Sequence, residues 1–161
     1  IDTDLSDVET LADELAQLEH ESAITQTRLA LWEEYFRRCE PLSTELGALR
    51  RPIVPEGCHH NAHLFHVVLA PGIDRGEVLA GLNARGVNAV FHYVPLHSSP
   101  AGRRFGRIAG TMSVTDDYPA RLIRLPLWVD MDPQAPLSVV EILQDVLAMQ
   151  PRPGALLSRD P

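Results

Sequence analysis

Apolar residues recur every three or four positions over residues 8–36, a spacing that places them on one face of an α-helix. These positions are Val8, Leu11, Leu15, Leu18, Ile24, Leu31, Trp32, Tyr35 and Phe36. Ser6 and Glu9 have the spacing of a capping box, in which each side chain accepts a hydrogen bond from the other residue's backbone amide. The pattern predicts a long helix over residues 1–40, either continuous or broken near residues 21–25. If its apolar face packs on a sheet, Leu15→Ala and Trp32→Ala should each destabilise the fold by about 2–5 kcal/mol, and the alternative is that the helix stands away from the domain.

A different pattern follows, in which residues alternate between two faces. Over residues 63–69 a β-branched and aromatic run alternates in this way and stops at Pro71, which predicts a β-strand. Asp74 begins a short amphipathic helix that ends near Gly86, a residue suited to the left-handed end of a helix. Residues 87–93 predict a second strand. The succession indicates a β-α-β unit, and the pattern leaves the order of strands in the sheet open.

The remaining elements are shorter. Thr115 can cap a helix over residues 116–123, and Ser138 opens a last amphipathic helix. Residues 124–127 form an apolar segment that we interpret as an edge strand, because Pro126 has no amide hydrogen to donate to a neighbour. Together the elements predict an α+β fold, in which a long N-terminal helix leads into a small sheet of about three strands covered by helices.

On this interpretation the chain divides into four segments. Residues 1–40 form the long linking helix, and residues 41–60 form a connecting segment rich in proline, glycine and arginine. Residues 61–149 form a small α/β domain, and residues 150–161 form a flexible tail. The first residue is Ile1 rather than methionine, and we therefore expect a piece of a longer protein.

Composition narrows the class of protein. No run of about 18 apolar residues occurs, so we expect a soluble chain without a membrane span. The net charge of -8 argues against a nucleic-acid surface, which needs concentrated positive charge. Cys39 and Cys58 are too few for a disulfide framework, which favours the reducing cytoplasm. All 14 residues counted as lysine or arginine are arginine, so lysine is absent.

Several reactive residue types have a structural explanation. The most metal-like cluster, made of the thiol and imidazole groups that zinc prefers, is Cys58, His59, His60 and His63. We expect no metal site there, because adjacent ligands lack the usual spacing and no second pair completes a set. We interpret Cys39 and Cys58 as inert packing thiols. Asp116 and Asp117 fall at a predicted helix start, where carboxylates favourably meet the helix dipole.

The segment after the second predicted strand is a stronger candidate for a site. It carries the imidazoles of His92 and His97 and the phenol of Tyr93, and Pro95 restricts the chain between them. Ordinary packing at a sheet edge is the alternative explanation. If the trio forms a site, we expect its polar atoms to cluster away from the core, because burial without partners costs about 1–3 kcal/mol per group.

Four segments of the chain form a specific combination. They are Asn61-Ala62-His63-Leu64-Phe65, Ala89-Val90-Phe91-His92-Tyr93-Val94-Pro95-Leu96-His97, Ser99-Pro100-Ala101-Gly102 and Arg121-Leu122-Ile123-Arg124-Leu125-Pro126-Leu127. In these segments the chain resembles the C-terminal part of the DegT-type sugar-nucleotide aminotransferases, which depend on pyridoxal phosphate. The run ending in Pro100-Ala101-Gly102 is most similar to the branch that aminates dTDP-4-oxo-6-deoxyglucose, the dTDP-4-amino-4,6-dideoxygalactose transaminases.

The resemblance implies the small C-terminal domain of a fold-type I aminotransferase. Such an enzyme is a dimer in which pyridoxal phosphate, held by a lysine of a large N-terminal domain, moves an amino group from glutamate onto a nucleotide-linked keto sugar. This sequence has no lysine, and arginine cannot form the imine. We therefore expect no catalysis and no bound cofactor for the chain alone, and we expect the large domain, a second subunit and a nucleotide sugar as its partners. The alternative is a non-catalytic remnant that binds a nucleotide sugar or mediates oligomerisation.

The resemblance also implies which residues contact substrate. They are His92, Tyr93, His97, Asn61 and Arg124. The trio would line the side of the domain that faces the nucleotide sugar and the cofactor, while Asn61 and His63 are weaker candidates. Arg121 and Arg124 can meet a phosphate, although such residues more often pair with surface carboxylates.

Overall fold

The computed structural model describes residues 5–150, so the predicted tail beyond them lies outside the described part. The helices are α1 (Leu5–Glu19), α2 (Glu21–Arg38), α3 (Glu40–Thr44), α4 (Arg75–Ala84), α5 (Pro100–Phe105), α6 (Ser113–Arg121) and α7 (Ala135–Ala148). The strands are β1 (Leu49–Arg50), β2 (Phe65–Leu69), β3 (Val90–Phe91) and β4 (Leu122–Leu125). A short 3-10 helix, Leu96–Ser98, precedes α5. None of the described helices has the length and apolar character needed to cross a bilayer.

The four strands form one antiparallel sheet in the order β1-β2-β4-β3. Because β4 pairs with both β2 and β3 in the antiparallel sense, those two strands run parallel to each other on either side of it. The predicted β-α-β unit is therefore present as β2-α4-β3, with β4 inserted between its strands. The α+β fold class is confirmed. The sheet has four strands rather than about three, because β1 lies in the segment predicted to be a connection.

The prediction of an edge strand at residues 124–127 is wrong. The strand spans Leu122–Leu125 and is central in the sheet. Its ladder of pairs ends before Pro126, so the missing amide hydrogen of the proline interrupts nothing. The helix predicted over residues 116–123 accordingly starts and ends earlier, as α6.

Both other predicted strands are shorter than their patterns. Residues 63–69 contribute only β2, and residues 87–93 contribute only the two residues of β3. Val87 and Ala89 are buried although they lie outside the ladder. The apolar positions therefore predicted burial correctly. The length of β3 was set instead by its pairing, because only Val90 and Phe91 lie opposite residues of β4.

Local capping signals determine α4. The Asp74 carboxylate accepts a hydrogen bond from a backbone amide of the first turn at 3.0 Å, and Gly86 follows the helix with a φ of +80°. A residue with a Cβ atom is strained in that left-handed conformation. The last helix begins at Ala135, before the predicted Ser138, because Pro136 fits a first turn in which amide hydrogens have no intrahelical partner.

The predicted long helix is two helices. α1 ends at Glu19 and α2 begins at Glu21, with His20 between them in a non-helical conformation. The break thus adjoins the region where the pattern allowed one. The side chains of Ser6 and Glu9, which form the predicted capping box, lie outside the described residues.

The core lies between one face of the sheet and the helices α2, α4 and α7. The buried side chains that β2 and β4 direct toward it are Phe65, Val67, Leu69, Ile123 and Leu125. From α2 come Trp32 and Tyr35, and the Tyr35 ring stacks on Phe65 with the ring centroids 5.0 Å apart. The Tyr35 hydroxyl donates a hydrogen bond to the Pro126 carbonyl at 2.9 Å, which ties α2 to the end of β4.

The apolar face of α1 is open. Its exposed leucines are Leu11, Leu15 and Leu18. Of the two alternatives for the apolar face, packing on the sheet does not hold for α1, because this helix contacts its neighbour α2 and leaves the three leucines uncovered. The side chain of Val8 lies outside the described residues.

Candidate functional site

The segment after β3 brings two of the three predicted residues together. The rings of His92 and Tyr93 have centroids 4.7 Å apart. The Nδ1 atom of His92 is buried and has no hydrogen-bond partner within residues 5–150. The Tyr93 side chain is 70% exposed. His92 therefore presents a polar atom in need of a partner, next to a phenol that is open to solvent.

Backbone strain is concentrated around the predicted residues. Tyr93 has a φ of +54° and Ala62 has a φ of +50°, in the left-handed region that residues other than glycine rarely adopt. In the described part of the chain these are the two such residues. Tyr93 belongs to the predicted trio, and Ala62 lies between Asn61 and His63. Strain of this kind costs about 1–3 kcal/mol per residue and is often found at functional sites.

His97 lies in a different setting from His92 and Tyr93. Its Nε2 atom is 2.7 Å from Oδ1 of Asp116, in the first turn of α6. It also lines a groove of about 770 Å³, whose apolar lining residues are Leu96, Ala101, Phe105, Ile108 and Met112. Asp116 in turn lines a smaller pocket of about 200 Å³ together with Tyr93. Asp116 therefore lies between His97, which it contacts, and the pocket that Tyr93 lines. That His92, Tyr93 and His97 form one functional cluster stays a prediction.

Arg124 lies on the central strand, directly opposite His66 of β2 and Val90 of β3. Residues that oppose each other in antiparallel strands share a face of the sheet. Arg124 is half-buried, and within residues 5–150 its guanidinium has neither a hydrogen-bond partner nor an ion-pair partner. It lines a groove of about 380 Å³ together with His63 and Trp128.

The imidazoles beside Arg124 are biased toward their neutral forms. Burial lowers the pKa of His66, and His92 and Arg50 lower it further. Desolvation likewise lowers the pKa of His92, with additional contributions from Arg124 and His63. Every charged neighbour that shifts either pKa is basic. Arg50 and Arg124 therefore give this face of the sheet two cationic side chains, although the chain as a whole is acidic.

Asn61 contacts the neighbouring His63. Its Oδ1 atom accepts a hydrogen bond from the His63 backbone amide at 3.3 Å and lies 3.2 Å from Nδ1 of the same residue. Asn61 thereby orients His63, which lines the groove of Arg124.

Arg121, the other arginine considered for a phosphate, is already engaged. It forms an ion pair with Asp117, and this hydrogen bond lowers the pKa of the Asp117 carboxyl. Arg121 also donates to the backbone carbonyl of Leu69. Its role is to join α6 to β2.

The cysteines and the histidines near Cys58 show no arrangement for catalysis or metal binding. In the part of the chain that the structure describes, no group of three or more His, Cys, Asp or Glu side chains is placed to hold a metal ion. The His60 ring packs against Trp32, with centroids 4.4 Å apart. Cys39 is buried, and burial raises the pKa of its thiol to about 12, so the reactive thiolate is scarce at neutral pH.

Three further residues line or adjoin these grooves, although the sequence alone did not mark them as site residues. They are His66, Asp116 and Trp128. His66 follows the matched segment at Asn61 by a single residue, but its position beside Arg124 depends on strand register. Asp116 had a sufficient explanation at a helix start, and its contact with His97 spans 19 residues of sequence. A tryptophan directly after the predicted strand of residues 124–127 was the signal available for Trp128, and its exposure is visible only in the structure.

Several solved structures share this fold, and one of them is described as a putative sugar aminotransferase. DesV of S. venezuelae, determined in complex with a ketimine intermediate, has a TM-score of 0.71 and 24% identity over 82% of this chain and 34% of its own. The putative sugar aminotransferase Spr1654 from Streptococcus pneumoniae, in its PLP form, has a TM-score of 0.71 and 18% identity over 83% of this chain and 34% of its own. DesI, in the presence of its TDP-sugar product, has a TM-score of 0.70 and 17% identity over 84% of this chain and 34% of its own.

The likeness covers most of this chain and about a third of each solved structure. At these identities it establishes the fold. The sequence itself matches the family model described as the DegT/DnrJ/EryC1/StrS aminotransferase family over residues 6–144. Since that match includes α2, the whole sheet and most of α7, the chain belongs to the DegT/DnrJ/EryC1/StrS aminotransferase family.

Proposed function

We propose that this chain is the C-terminal, substrate-binding part of a pyridoxal-phosphate-dependent aminotransferase. The reaction moves an amino group from glutamate to a nucleotide-linked 4-keto-6-deoxy sugar. The observation that carries the proposal is the family match over residues 6–144, within which the H-Y-x-P-L-H segment lies beside the half-buried, unpartnered Arg124. The dTDP-linked sugar and the dimer follow from the resemblance, and the cytoplasmic location follows from the low cysteine count; all three belong to the same proposal.

The residues of this chain do not fit the covalent attachment of pyridoxal phosphate. The cofactor is held as an imine on a lysine amine, and the sequence contains no lysine. Arginine stays protonated and forms no imine. The proposal therefore requires a lysine-bearing large domain on another polypeptide segment, and the chain alone is expected to be inactive.

The described side chains support specific binding roles. Arg124 is suited to a phosphate, because a guanidinium offers several donors in one plane to an anion. His92, whose pKa is lowered, can exchange a hydrogen bond with a sugar hydroxyl as a neutral imidazole. The exposed phenol of Tyr93 can donate to the same class of group. His97, paired with Asp116, holds the following segment against α6.

The second candidate function is a non-catalytic module that binds a nucleotide sugar or mediates oligomerisation. The observation that favours oligomerisation is the open apolar face of α1, where Leu11, Leu15 and Leu18 are exposed. Exposed apolar faces of this kind often mark interaction surfaces. This function does not need a lysine-bearing partner domain. The two candidate functions therefore make different predictions, because only the first predicts that adding such a domain produces transaminase activity.

Complementation with a large domain tests the first function. The purified chain is mixed with pyridoxal phosphate, glutamate and dTDP-4-oxo-6-deoxyglucose, with or without the isolated large domain of a relative, and amino sugar is measured by mass spectrometry. We expect product only in the complete mixture, and a large loss with His92→Gln. Borohydride treatment of the chain alone should trap no adduct on a side chain. A stoichiometric side-chain adduct, or no product in any mixture while the two parts form a complex, would contradict the proposal.

A further inference from the structure

Two surfaces of this chain are exposed and apolar, and they carry opposite charges. The first is the leucine stripe of α1, formed by Leu11, Leu15 and Leu18, whose side chains are each more than half exposed. The second is the groove of about 770 Å³ that His97 lines between α5 and α6, here named the α5–α6 groove. Within one copy, α1 contacts α2, and none of the α1 residues that the structure describes lines this groove. Exposed apolar surfaces of this kind indicate an interaction.

The leucine stripe of α1 is bordered by carboxylates. With about 3.6 residues per turn, the three leucines span about 10 Å along the helix axis, and Glu14 and Glu19 fall on opposite sides of the stripe. Both glutamate side chains are exposed. In sequence, residues 5–19 contain no lysine, arginine or histidine and five acidic residues, namely Asp7, Glu9, Asp13, Glu14 and Glu19. A partner that covers the stripe therefore needs apolar side chains together with positive charge.

The α5–α6 groove has the complementary character. Its apolar lining includes Leu96 and Phe105, which are 79% and 78% exposed. Arg103 and Arg107 line the same groove, and the guanidinium of Arg104 lies over the Phe105 ring, 5.0 Å from its centroid. Within residues 5–150 none of these three arginines forms an ion pair, and no carboxylate lines the groove. The groove therefore combines an apolar wall with positive charge that has no partner in the same copy.

The charges distinguish two ways in which copies of the chain could meet. Two α1 helices packed stripe to stripe would bring carboxylates together, which is unfavourable. The stripe of one copy against the α5–α6 groove of another brings carboxylates to arginines and buries leucine against the exposed apolar wall. The positions of Leu11, Leu15 and Leu18, at i, i+4 and i+7, also match the spacing with which an amphipathic helix binds in an apolar groove.

We propose that two copies of this chain form a reciprocal dimer, in which α1 of each copy lies in the α5–α6 groove of the other. Each copy supplies one helix and one groove, so the two contacts close the assembly and leave no stripe exposed. Glu14 and Glu19 then face the arginines of the groove. The proposal goes beyond the aminotransferase function and does not depend on it, because the resemblance implies a dimer without assigning these surfaces to it.

The test is sedimentation equilibrium of the full 161-residue chain at concentrations from about 1 to 100 μM. We expect the mass of two chains at the upper end and a fall toward the mass of one chain on dilution. Leu15→Gln in the stripe and Phe105→Gln in the groove should each weaken dimerisation about tenfold or more, because each removes a large apolar side chain from the contact. Leu46→Gln changes a leucine that is 55% exposed outside both surfaces, and this matched control should leave dimerisation unchanged. Since all three side chains are more than half exposed, circular dichroism should stay native.

Exchange of charges shows which surface meets which. Glu14→Arg alone, and Arg103→Glu combined with Arg107→Glu, should each weaken the homodimer about threefold or more. When the two variants are mixed, one contact is native and the other has both charges reversed, so the mixed dimer should form about tenfold more tightly than either variant homodimer. Glu33→Arg reverses an exposed carboxylate on α2 and is the control, which should neither weaken the dimer nor pair preferentially with the arginine variant.

The outcomes separate this inference from the proposed function. A chain that stays monomeric at about 100 μM overturns the inference, and so does a dimer that Phe105→Gln does not weaken or an open series of larger masses. If complementation with a large domain yields amino sugar while the chain alone stays monomeric, the proposed function stands and the inference fails. If the chain dimerises as expected and no mixture yields amino sugar, the dimer is supported and the aminotransferase function fails.

Discussion

The helices α1 and α2 share an amphipathic pattern but differ in what covers it. α2 buries Leu31, Trp32 and Tyr35 against the sheet and α7. α1 leaves three leucines of the same stripe exposed, at 62% for Leu11, 57% for Leu15 and 70% for Leu18. The difference shows that a periodic apolar face predicts a helix and the direction of its packing. It does not predict whether the packing partner is present.

The largest contrast is expected in cysteine reactivity, because Cys39 reports on the docking of α2. The thiol at the end of this helix is buried, while Cys58 is exposed. Alkylation of Cys39 requires opening of the fold, and for a domain of ordinary stability that slows labelling by about a thousandfold or more. Timed iodoacetamide labelling followed by mass spectrometry measures both rates. Equal rates for the two thiols in the native protein would show that α2 is not stably docked.

Trp32→Ala tests the contribution of α2 to the free energy of unfolding. Trp32 is 6% exposed and contacts Phe36 and Phe65, with ring centroids at 5.1 and 5.5 Å. Its truncation leaves a cavity in the core, and we expect a loss of about 3–5 kcal/mol. Urea denaturation gives the value. A loss below about 1 kcal/mol would mean that α2 contributes no more than an exposed helix does.

Tyr35→Phe isolates one polar contact of the same helix. The hydroxyl donates to the Pro126 carbonyl at 2.9 Å, and its removal leaves that acceptor without its partner. We expect a loss of about 1–2 kcal/mol in the free energy of unfolding, measured in the same urea titration. An unchanged urea midpoint would indicate that water replaces the hydroxyl at the Pro126 carbonyl. The contact between α2 and the end of β4 would then be accessible to solvent.

Leu15→Ala should have the smallest effect, below about 0.5 kcal/mol, because the leucine is 57% exposed on α1. This expectation replaces the prediction from periodicity alone, in which Leu15 and Trp32 are equivalent. A loss of about 2 kcal/mol or more at a protein concentration where the chain is monomeric would place the leucine in a core. A loss that depends on protein concentration would instead identify a partner covering α1.

Signals confined to a few neighbouring residues predicted structure well. The cap at Asp74 and the glycine at Gly86 located α4, because both act through backbone bonds within one turn. The place of β4 in the sheet was mispredicted, because Pro126 is a local signal and the pairing with β2 and β3 is not. β1 escaped prediction entirely, since two residues cannot show a period.

The candidate site divides in the same way. The order of residues in the H-Y-x-P-L-H segment was sufficient to propose His92, Tyr93 and His97. The opposition of His66 and Arg124 required the register of two strands separated by more than 50 residues of sequence. Similarly, the pairing of His97 with Asp116 requires the fold to bring two segments together. Candidate residues within one segment could be proposed from the sequence, whereas contacts between two distant segments could not.

The central position of β4 sets the order in which this sheet can assemble. β3 is hydrogen-bonded to β4, yet it leaves the ribosome about thirty residues earlier. During synthesis β3 and the strained turn at Tyr93 must therefore wait without a ladder partner, while α4 can already coil on its local caps. Pairings so distant in sequence slow folding, because chain entropy is lost before contacts compensate for it. Only after Leu122–Leu125 has left the ribosome can β2 and β3 pair with β4, and the sheet can then fold as one cooperative unit.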